Sequence, residues 1–367
     1  MRSPDLADFD EIMMHRALEL AACGVGLVSP SPLVGCVVTD AAGVIVGEGC
    51  YLWDGVHHAE ALALAQAGAR AQGGTAYVSL EPHAHQGRTP PCTDALIRAG
   101  VRRVVASIED PNPQVAGRGF TQLRAAGVEV VTGVCAAEAA RLNETYSHFM
   151  RTGRPFVHLK MACSLDGRIA TRTGDAQWIT GPAARARGHE MRHAADAILV
   201  GAGTVRADNP SLTDRSGRAR RRPLARVVLD ERLELTPQSQ LAQTAKDTPV
   251  WVFTKQTQDA AQALAAQGVE IIRDDSGGRD LGAVLDELGR RSITSVLVEG
   301  GAGVAGALCD AGLVNKFSIF LAPLIIGGRH APTAIAGNGP ARLADAYRLS
   351  QVTFTQHGPD LEITGYP

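Results

Sequence analysis

His58-Ala59-Glu60, Glu81-Pro82-His83 and Pro90-Pro91-Cys92 are the parts of this sequence best equipped for chemistry. They offer three metal-capable side chains and one free carboxylate. A zinc deaminase needs three protein ligands that leave a fourth position for water, plus a glutamate that binds no metal; its signature is H-x-E followed by P-C-x-x-C. His58 then binds the metal, while Glu60 moves a proton from water to departing ammonia. Zinc lowers the pKa of bound water to about 7, so hydroxide attacks the amidine carbon of an aminopyrimidine at neutral pH. Taken singly, His57 and His58 read as surface histidines and Cys92 as a core thiol. All three elements in order, on two helix starts and after a strand, favour the metal site.

A second group of residues lies late in the chain. The run Ser295 to Glu299 reads as a buried strand, Gly300-Gly301-Ala302-Gly303 as a turn, and Val304 to Ala311 as an apolar helix. Backbone amides at such a helix start can hold a pyrophosphate. As a bare motif the turn is weak, because it lacks the full G-x-G-x-x-G spacing. Arginines 215, 218, 220, 221 and 222 make a basic loop, expected to be solvated at every position except Arg215.

The elements that must position these groups alternate. Ile12 to Ala22 has helical spacing, Leu33 to Thr39 and Val44 to Glu48 form a hairpin about Asp40 to Gly43, and His58 to Ala69 is a helix. Strand Thr75 to Ser79, helix Thr93 to Ala99, strand Arg103 to Ser107, helix Phe120 to Ala126 and strand Val128 to Val131 complete an α/β layer, with a helical tail to Met150. Arg151 to Pro155 has the Gly and Pro of a junction, which places the domains at 1–150 and 151–367. The second half restarts with strand Phe156 to Cys163. Helix 182–193, strands 196–201, 225–229 and 249–254, and helix 259–266 follow.

Bulk properties agree with two active sites. The length of 367 residues exceeds one ordinary core, at about 150 residues per domain. A net charge of −2 with 20% charged residues gives no sign of a polyanion partner, so neither nucleic acid nor membrane is expected to bind. No basic segment precedes an apolar core at the start, and no run of about 18 apolar residues follows. Seven scattered cysteines fit a reducing cytoplasm.

The segments HHAEALAL, EPHAHQGRTPPCTDALI and DPNPQVAGRG resemble the deaminase half of the bifunctional riboflavin-biosynthesis deaminase/reductase family. HLKMACSLDGRIAT, GDAQWITGP and DAILVGAGTVRADNPSLTDR resemble its reductase half, over nearly the whole second domain. That family is a diaminohydroxyphosphoribosylaminopyrimidine deaminase joined to a 5-amino-6-(5-phosphoribosylamino)uracil reductase. The resemblance implies an α/β protein: an N-terminal cytidine-deaminase-like α/β/α domain and a C-terminal dihydrofolate-reductase-like α/β domain. It implies one Zn2+ per chain on His58, His83 and Cys92, with His83 where the family has a cysteine and His85 a nearby substitute. Arg88, Asp110 and Asn112 would bind the first substrate, although Asp-Pro-Asn-Pro is also ordinary turn chemistry.

For the second half the resemblance implies NADPH. Lys160 and Asp208 would be catalytic; Ala162, Trp178, Thr204, Asp208, Gly300, Gly301, Ala302 and Gly303 would hold the cofactor; Arg192, Leu212, Arg215 and Glu299 would hold the substrate. An arginine pair suits a dianionic phosphate. The chain departs from the family at Ser31-Pro32, near Tyr51, and at Glu231, whose carboxylate is expected to point away from the cofactor. The expected protein is a cytoplasmic homo-oligomer, dimer or tetramer, acting on a phosphoribosylamino-pyrimidine. The alternatives are a working reductase beside an impaired deaminase, a nucleic-acid base deaminase, or a scaffold.

Overall fold

The computed structural model describes residues 4–87, 89–257, 259 and 261–367, with the side chains of Pro4 and Asp5 excepted. The chain divides into two compact units, Met1–Gly153 and Arg154–Pro367. In the first, α1 (Pro4–Ala22) is followed by the hairpin β1 (Gly35–Thr39) and β2 (Ile45–Cys50), then α2 (Ala59–Ala67) and β3 (Thr75–Val78). After these come α3 (Cys92–Arg98), β4 (Arg103–Ala106), α4 (Arg118–Ala125), β5 (Glu129–Thr132), α5 (Ala136–Leu142) and α6 (Glu144–Thr152). The sheet order is β2-β1-β3-β4-β5, antiparallel at the β1 pairings and parallel from β3 to β5.

Strand alternation builds two cores from one sheet. Cys36 and Val38 face Ala59, Ala63 and Leu96 of α2 and α3. Val37, Tyr77 and Val105 face Met14, Ala17 and Leu18 of α1 and Ala139 of α5. The result is an α/β/α sandwich, in which each fully buried large aliphatic contributes about 1.5–3 kcal/mol. Within it, Arg103 on β4 donates two hydrogen bonds, 2.6 and 2.7 Å, to Asp10 on α1.

The second unit runs β6 (Phe156–Ser164), α7 (Pro182–Ala194), β7 (Ala197–Gly201), α8 (Ala202–Asp208), β8 (Ala225–Leu229), α9 (Gln240–Gln243) and β9 (Val250–Thr254). Then follow α10 (Gln262–Ala265), β10 (Val269–Arg273), α11 (Leu281–Arg290), β11 (Ser295–Val298), α12 (Ala302–Asp310), β12 (Lys316–Ala322), β13 (Ser350–His357) and β14 (Asp360–Tyr366). Nine strands form one sheet in the order β10-β9-β8-β7-β11-β6-β12-β14-β13. It is parallel except where β14 pairs with β12 and β13. One face packs Val157, Leu159, Leu199 and Val298 against α11 and α12. The other carries Ile198 and Val200 toward Leu241 of α9, and Leu297 and Phe320 toward Met191 of α7.

Several elements go beyond the sequence expectation. Gly203, Thr204 and Val205 are weak helix formers, yet they lie in α8. The terminal hairpin was not expected, because β13 is exposed along nearly its whole length and shows no buried face to read. The arginine loop also differs from its expected solvated state. Arg220 donates to the carbonyls of Arg192, His193 and Ala195, closing the C-terminus of α7, and Arg222 donates to those of Arg291 and Ser292. A guanidinium with five donors matches the orphan carbonyls of a helix end.

Candidate functional site

The first site sits where α2 meets β2. A Cβ at Gly47 would lie 2.0 Å from the Ala63 carbonyl oxygen, and one at Gly49 2.4 Å from that of Ala59. Only glycine lets the helix approach so closely. His58 is the N-cap of α2, Glu60 lies in its first turn, and Cys92 opens α3 after Pro91. His83 comes from the turn after β3.

Donor atoms of His58, His83 and Cys92 all lie within 4.8 Å of one another. Around one tetrahedral zinc they stand about 3.5 Å apart, so the cluster is close to a coordinating geometry. The rings of His58 and His83 are 4.4 Å apart at a tilt of 31°. His85 stands edge-on to His83 at 5.4 Å, outside the converging set. Tyr51 stands edge-on to His58 at the same distance.

Electrostatics fit a cation. Burial, reinforced by His58 and His85, lowers His83 to about 4, and burial with His85 also lowers His58. Burial pushes the Cys92 thiol far up, with Glu60 beside it adding to the effect. Burial raises Glu60 too, against its hydrogen bond with Cys92. Glu60 is 3% exposed, and its Oε2 has no hydrogen-bond partner among the described residues. Two nitrogens and one sulfur, with an orphaned carboxylate oxygen alongside, make a zinc-type donor set that leaves a position open.

The loop behind the cluster is held by Glu81, a residue the motif contained but to which no role was assigned. Its carboxylate accepts the backbone N–H groups of Asp110, Gly117, Gly119 and Phe120 at 2.8–3.3 Å. A Cβ at Gly119 would meet the Pro82 carbonyl oxygen at 1.9 Å, so glycine is required there. Asp110 is buried and accepts from the Asn112 N–H and the Tyr146 hydroxyl; Asn112 in turn accepts from the Gln114 N–H. Arg88 lies outside the described residues.

The second site lies at the C-terminal ends of the parallel strands. Two cavities of about 520 and 500 Å3 share a wall that includes Lys160, Ala162, Thr204, Asp208 and Glu299. Trp178, Arg192, Leu212 and Arg215 line the first, while Gly300, Gly301 and Gly303 line the second. Ala302 begins α12 but faces neither. Thr204 Oγ1 accepts the Gly301 N–H at 3.0 Å, which fixes the glycine turn. Leu212 is buried with φ +50°, an uncommon backbone state for such a residue.

Glu299 offsets part of the positive charge around these cavities. Arg192 donates to both carboxylate oxygens of Glu299, at 2.7 and 2.9 Å, and Lys160 lies 3.7 Å away. Against the upward push of burial, Lys160 and Arg192 hold the Glu299 carboxyl at about 2. Burial raises Asp208. Glu231 is held by Lys255 at 2.8 Å and by Arg279, on the wall of a further cavity that also contains Gly203 and Gly303. Residues the motifs did not bring out are Arg185, whose guanidinium lies 4.7 Å over the Trp178 ring, and His189, which lines the first cavity.

The family model for the RibD C-terminal domain matches residues 155–363. The riboflavin biosynthesis protein RibD of Bacillus amyloliquefaciens is 44% identical over 360 residues, spanning 98% of this chain and 96% of its own. The chain belongs to the RibD family. Residues 7–108 match the cytidine and deoxycytidylate deaminase zinc-binding region. RibD of Escherichia coli K12 is 42% identical over 364 residues, covering 96% of this chain and 98% of its own. The solved structure of Acinetobacter baumannii RibD has a TM-score of 0.86 at 36% identity, covering 98% of this chain and 99% of that one. The Thermotoga maritima diaminohydroxyphosphoribosylaminopyrimidine deaminase/5-amino-6-(5-phosphoribosylamino)uracil reductase scores 0.87 at 35% identity, covering 99% of both. As a RibD protein the chain joins a cytidine-deaminase-like domain to a dihydrofolate-reductase-like one, and these imply Zn2+ and NADPH.

Proposed function

We propose that this RibD protein deaminates a phosphoribosylamino-diaminopyrimidinone hydrolytically in its 1–150 domain and reduces the ribosyl group to ribityl with NADPH in its 151–367 domain. The observation carrying this reading is the convergence of His58, His83 and Cys92 beside the unpaired oxygen of Glu60. His58, His83 and Cys92 would hold the zinc, which when bound makes water a competent nucleophile at neutral pH. Glu60 takes the proton of the attacking water at its unpaired oxygen and returns it to the leaving amine. Its burial favours the protonated form that this second step requires. Arg88, Asp110 and Asn112 would orient the pyrimidine.

In the second domain NADPH supplies the hydride. Ala162, Trp178, Thr204, Asp208 and the turn Gly300, Gly301, Ala302 and Gly303 would seat it, with backbone amides at the α12 start facing its phosphates. Arg192, Leu212, Arg215 and Glu299 would hold the substrate. As C1′ is reduced and its bond to the ring oxygen breaks, a proton must reach that oxygen, and Lys160 and Asp208 on the shared wall are placed to manage it.

No helix among the described residues is long and apolar enough to cross a membrane. None of the seven cysteines is in a disulfide, which supports a cytoplasmic location. Phe354, 67% exposed on the edge strand β13, supports a dimer or tetramer. Incubating the protein with the diaminopyrimidinone, with and without NADPH, separates the two activities. The expected outcome is ammonia release in both cases and NADPH consumption only afterwards. NADPH consumption on pre-deaminated substrate with no ammonia release would reduce the protein to a reductase, and neither signal would overturn the proposal.

A further inference from the structure

Two histidines one turn apart on α7 have opposite surroundings. His193 is 2% exposed, and its Nδ1 lies 2.9 Å from Asp214. His189 lines the first cavity of the second domain, and its Nδ1 is buried with no hydrogen-bond partner among the described residues. An unpaired buried polar atom carries a cost that structural histidines avoid, and it leaves the ring without a fixed tautomer or orientation. No motif marks His189, and none of the roles assigned above uses it.

The cations around this cavity differ in how far they are already committed. Lys160 and Arg192 share the single carboxylate of Glu299, and Arg192 also donates to the Thr213 carbonyl. Arg185 lies over the Trp178 ring and donates to the Thr180 carbonyl. Among the described residues Arg215 hydrogen-bonds to hydroxyls, those of Ser211 and Thr213, at 2.8 and 3.4 Å. A phosphate monoester carries nearly two negative charges near pH 7. One uncommitted guanidinium does not match it.

We propose that His189 is a direct ligand of the substrate phosphate, working with Arg215 at the basic end of the reductase cavity. The inference rests on the reductase reading above and assigns His189 a place in it. The imidazole supplies the second donor that Arg192, occupied by Glu299, does not supply in full. A hydrogen bond to a charged group is among the stronger ones, so losing it should be visible in affinity.

The test compares wild type, His189→Gln and His189→Ala as full-length, NADPH-loaded protein. Substrates are the phosphorylated pyrimidine and its dephosphorylated form, and D-ribose 5-phosphate serves as a binding probe. His189→Ala is expected to raise KM for the phosphorylated substrate about tenfold to a hundredfold, with kcat nearly unchanged. It should leave the dephosphorylated substrate unaffected and weaken ribose 5-phosphate by a similar factor. His189→Gln, which keeps a neutral donor, should recover much of the loss. A fall in kcat at constant KM would make His189 a proton donor instead and overturn the proposal. Equal losses on both substrates would make it a packing residue, and an unchanged KM would leave it no role. Ribose 5-phosphate binding is read without turnover, so the proposal can fail while the reductase reading stands, and the reverse.

Discussion

Arg192 and Glu299 meet through two parallel hydrogen bonds, 2.7 and 2.9 Å long, so the arginine expected to clamp phosphate is first of all the partner of a carboxylate. Lys160 shares that carboxylate at 3.7 Å. Lys160 and Glu299 belong to the common wall of the two cavities in the second domain while Arg192 lines the first, and the one carboxylate holds both cations in place there. Glu299 is only 11% exposed, so its removal leaves two cations without their counter-charge.

Glu299→Gln should therefore abolish most reductase activity and destabilise the second unit by about 3–5 kcal/mol. Its pH signature follows from the carboxyl being held at about 2, against an ordinary 4.5. Because the folded value is depressed, the stabilisation is fully present above about pH 4.5 and lost as pH falls toward 2. Thermal melting across that window should be steeper for wild type than for the variant. Identical acid limbs would count against the charge balance described here.

His158 on β6 predicts a second acid dependence. Its Nε2 lies 3.0 Å from Ser318 Oγ, and burial, ahead of Lys316 and Arg187, lowers it from 6.5 to about 3. The unfolded chain takes up the proton first, so stability is complete above about pH 6.5 and declines as pH falls toward 3. The loss amounts to a few kcal/mol at the lower end, by about 1.4 kcal/mol per pKa unit. His158→Gln should flatten the melting curve between those limits. A variant as pH-sensitive as wild type would contradict the assignment.

Glu81 accepts four backbone N–H groups, and replacing one oxygen by an amide nitrogen would set a donor against two of them. Glu81→Gln should cost about 1–3 kcal/mol per unsatisfied N–H. Because Asp110 rides on this loop, KM for deamination should rise while zinc content stays at the wild-type level. An unchanged KM would detach the loop from substrate binding.

The first site was readable because its parts are local. His58 and Glu60 are two residues apart at one helix start, and Cys92 opens the next helix, so spacing alone brings chemistry together. The second site was readable only in pieces, since Lys160, Asp208 and Glu299 converge through strand order rather than spacing. The Arg192–Glu299 pairing was invisible for that reason, and both residues were expected to face substrate separately. His189 has no motif, and its significance comes from a ring nitrogen that the fold leaves without a partner among the described residues. Arg220 and Arg222 looked like a solvated loop because composition cannot tell a free guanidinium from one capping helix carbonyls.

Zinc content read together with ammonia release tests the central claim most directly. Wild type should carry about one zinc per chain, as a three-ligand site requires, and release ammonia without NADPH. His83→Ala should lose both the metal and ammonia release while still oxidising NADPH on pre-deaminated substrate. A His83→Ala protein that keeps a full zinc and normal ammonia release would remove His83 from the site and contradict the account.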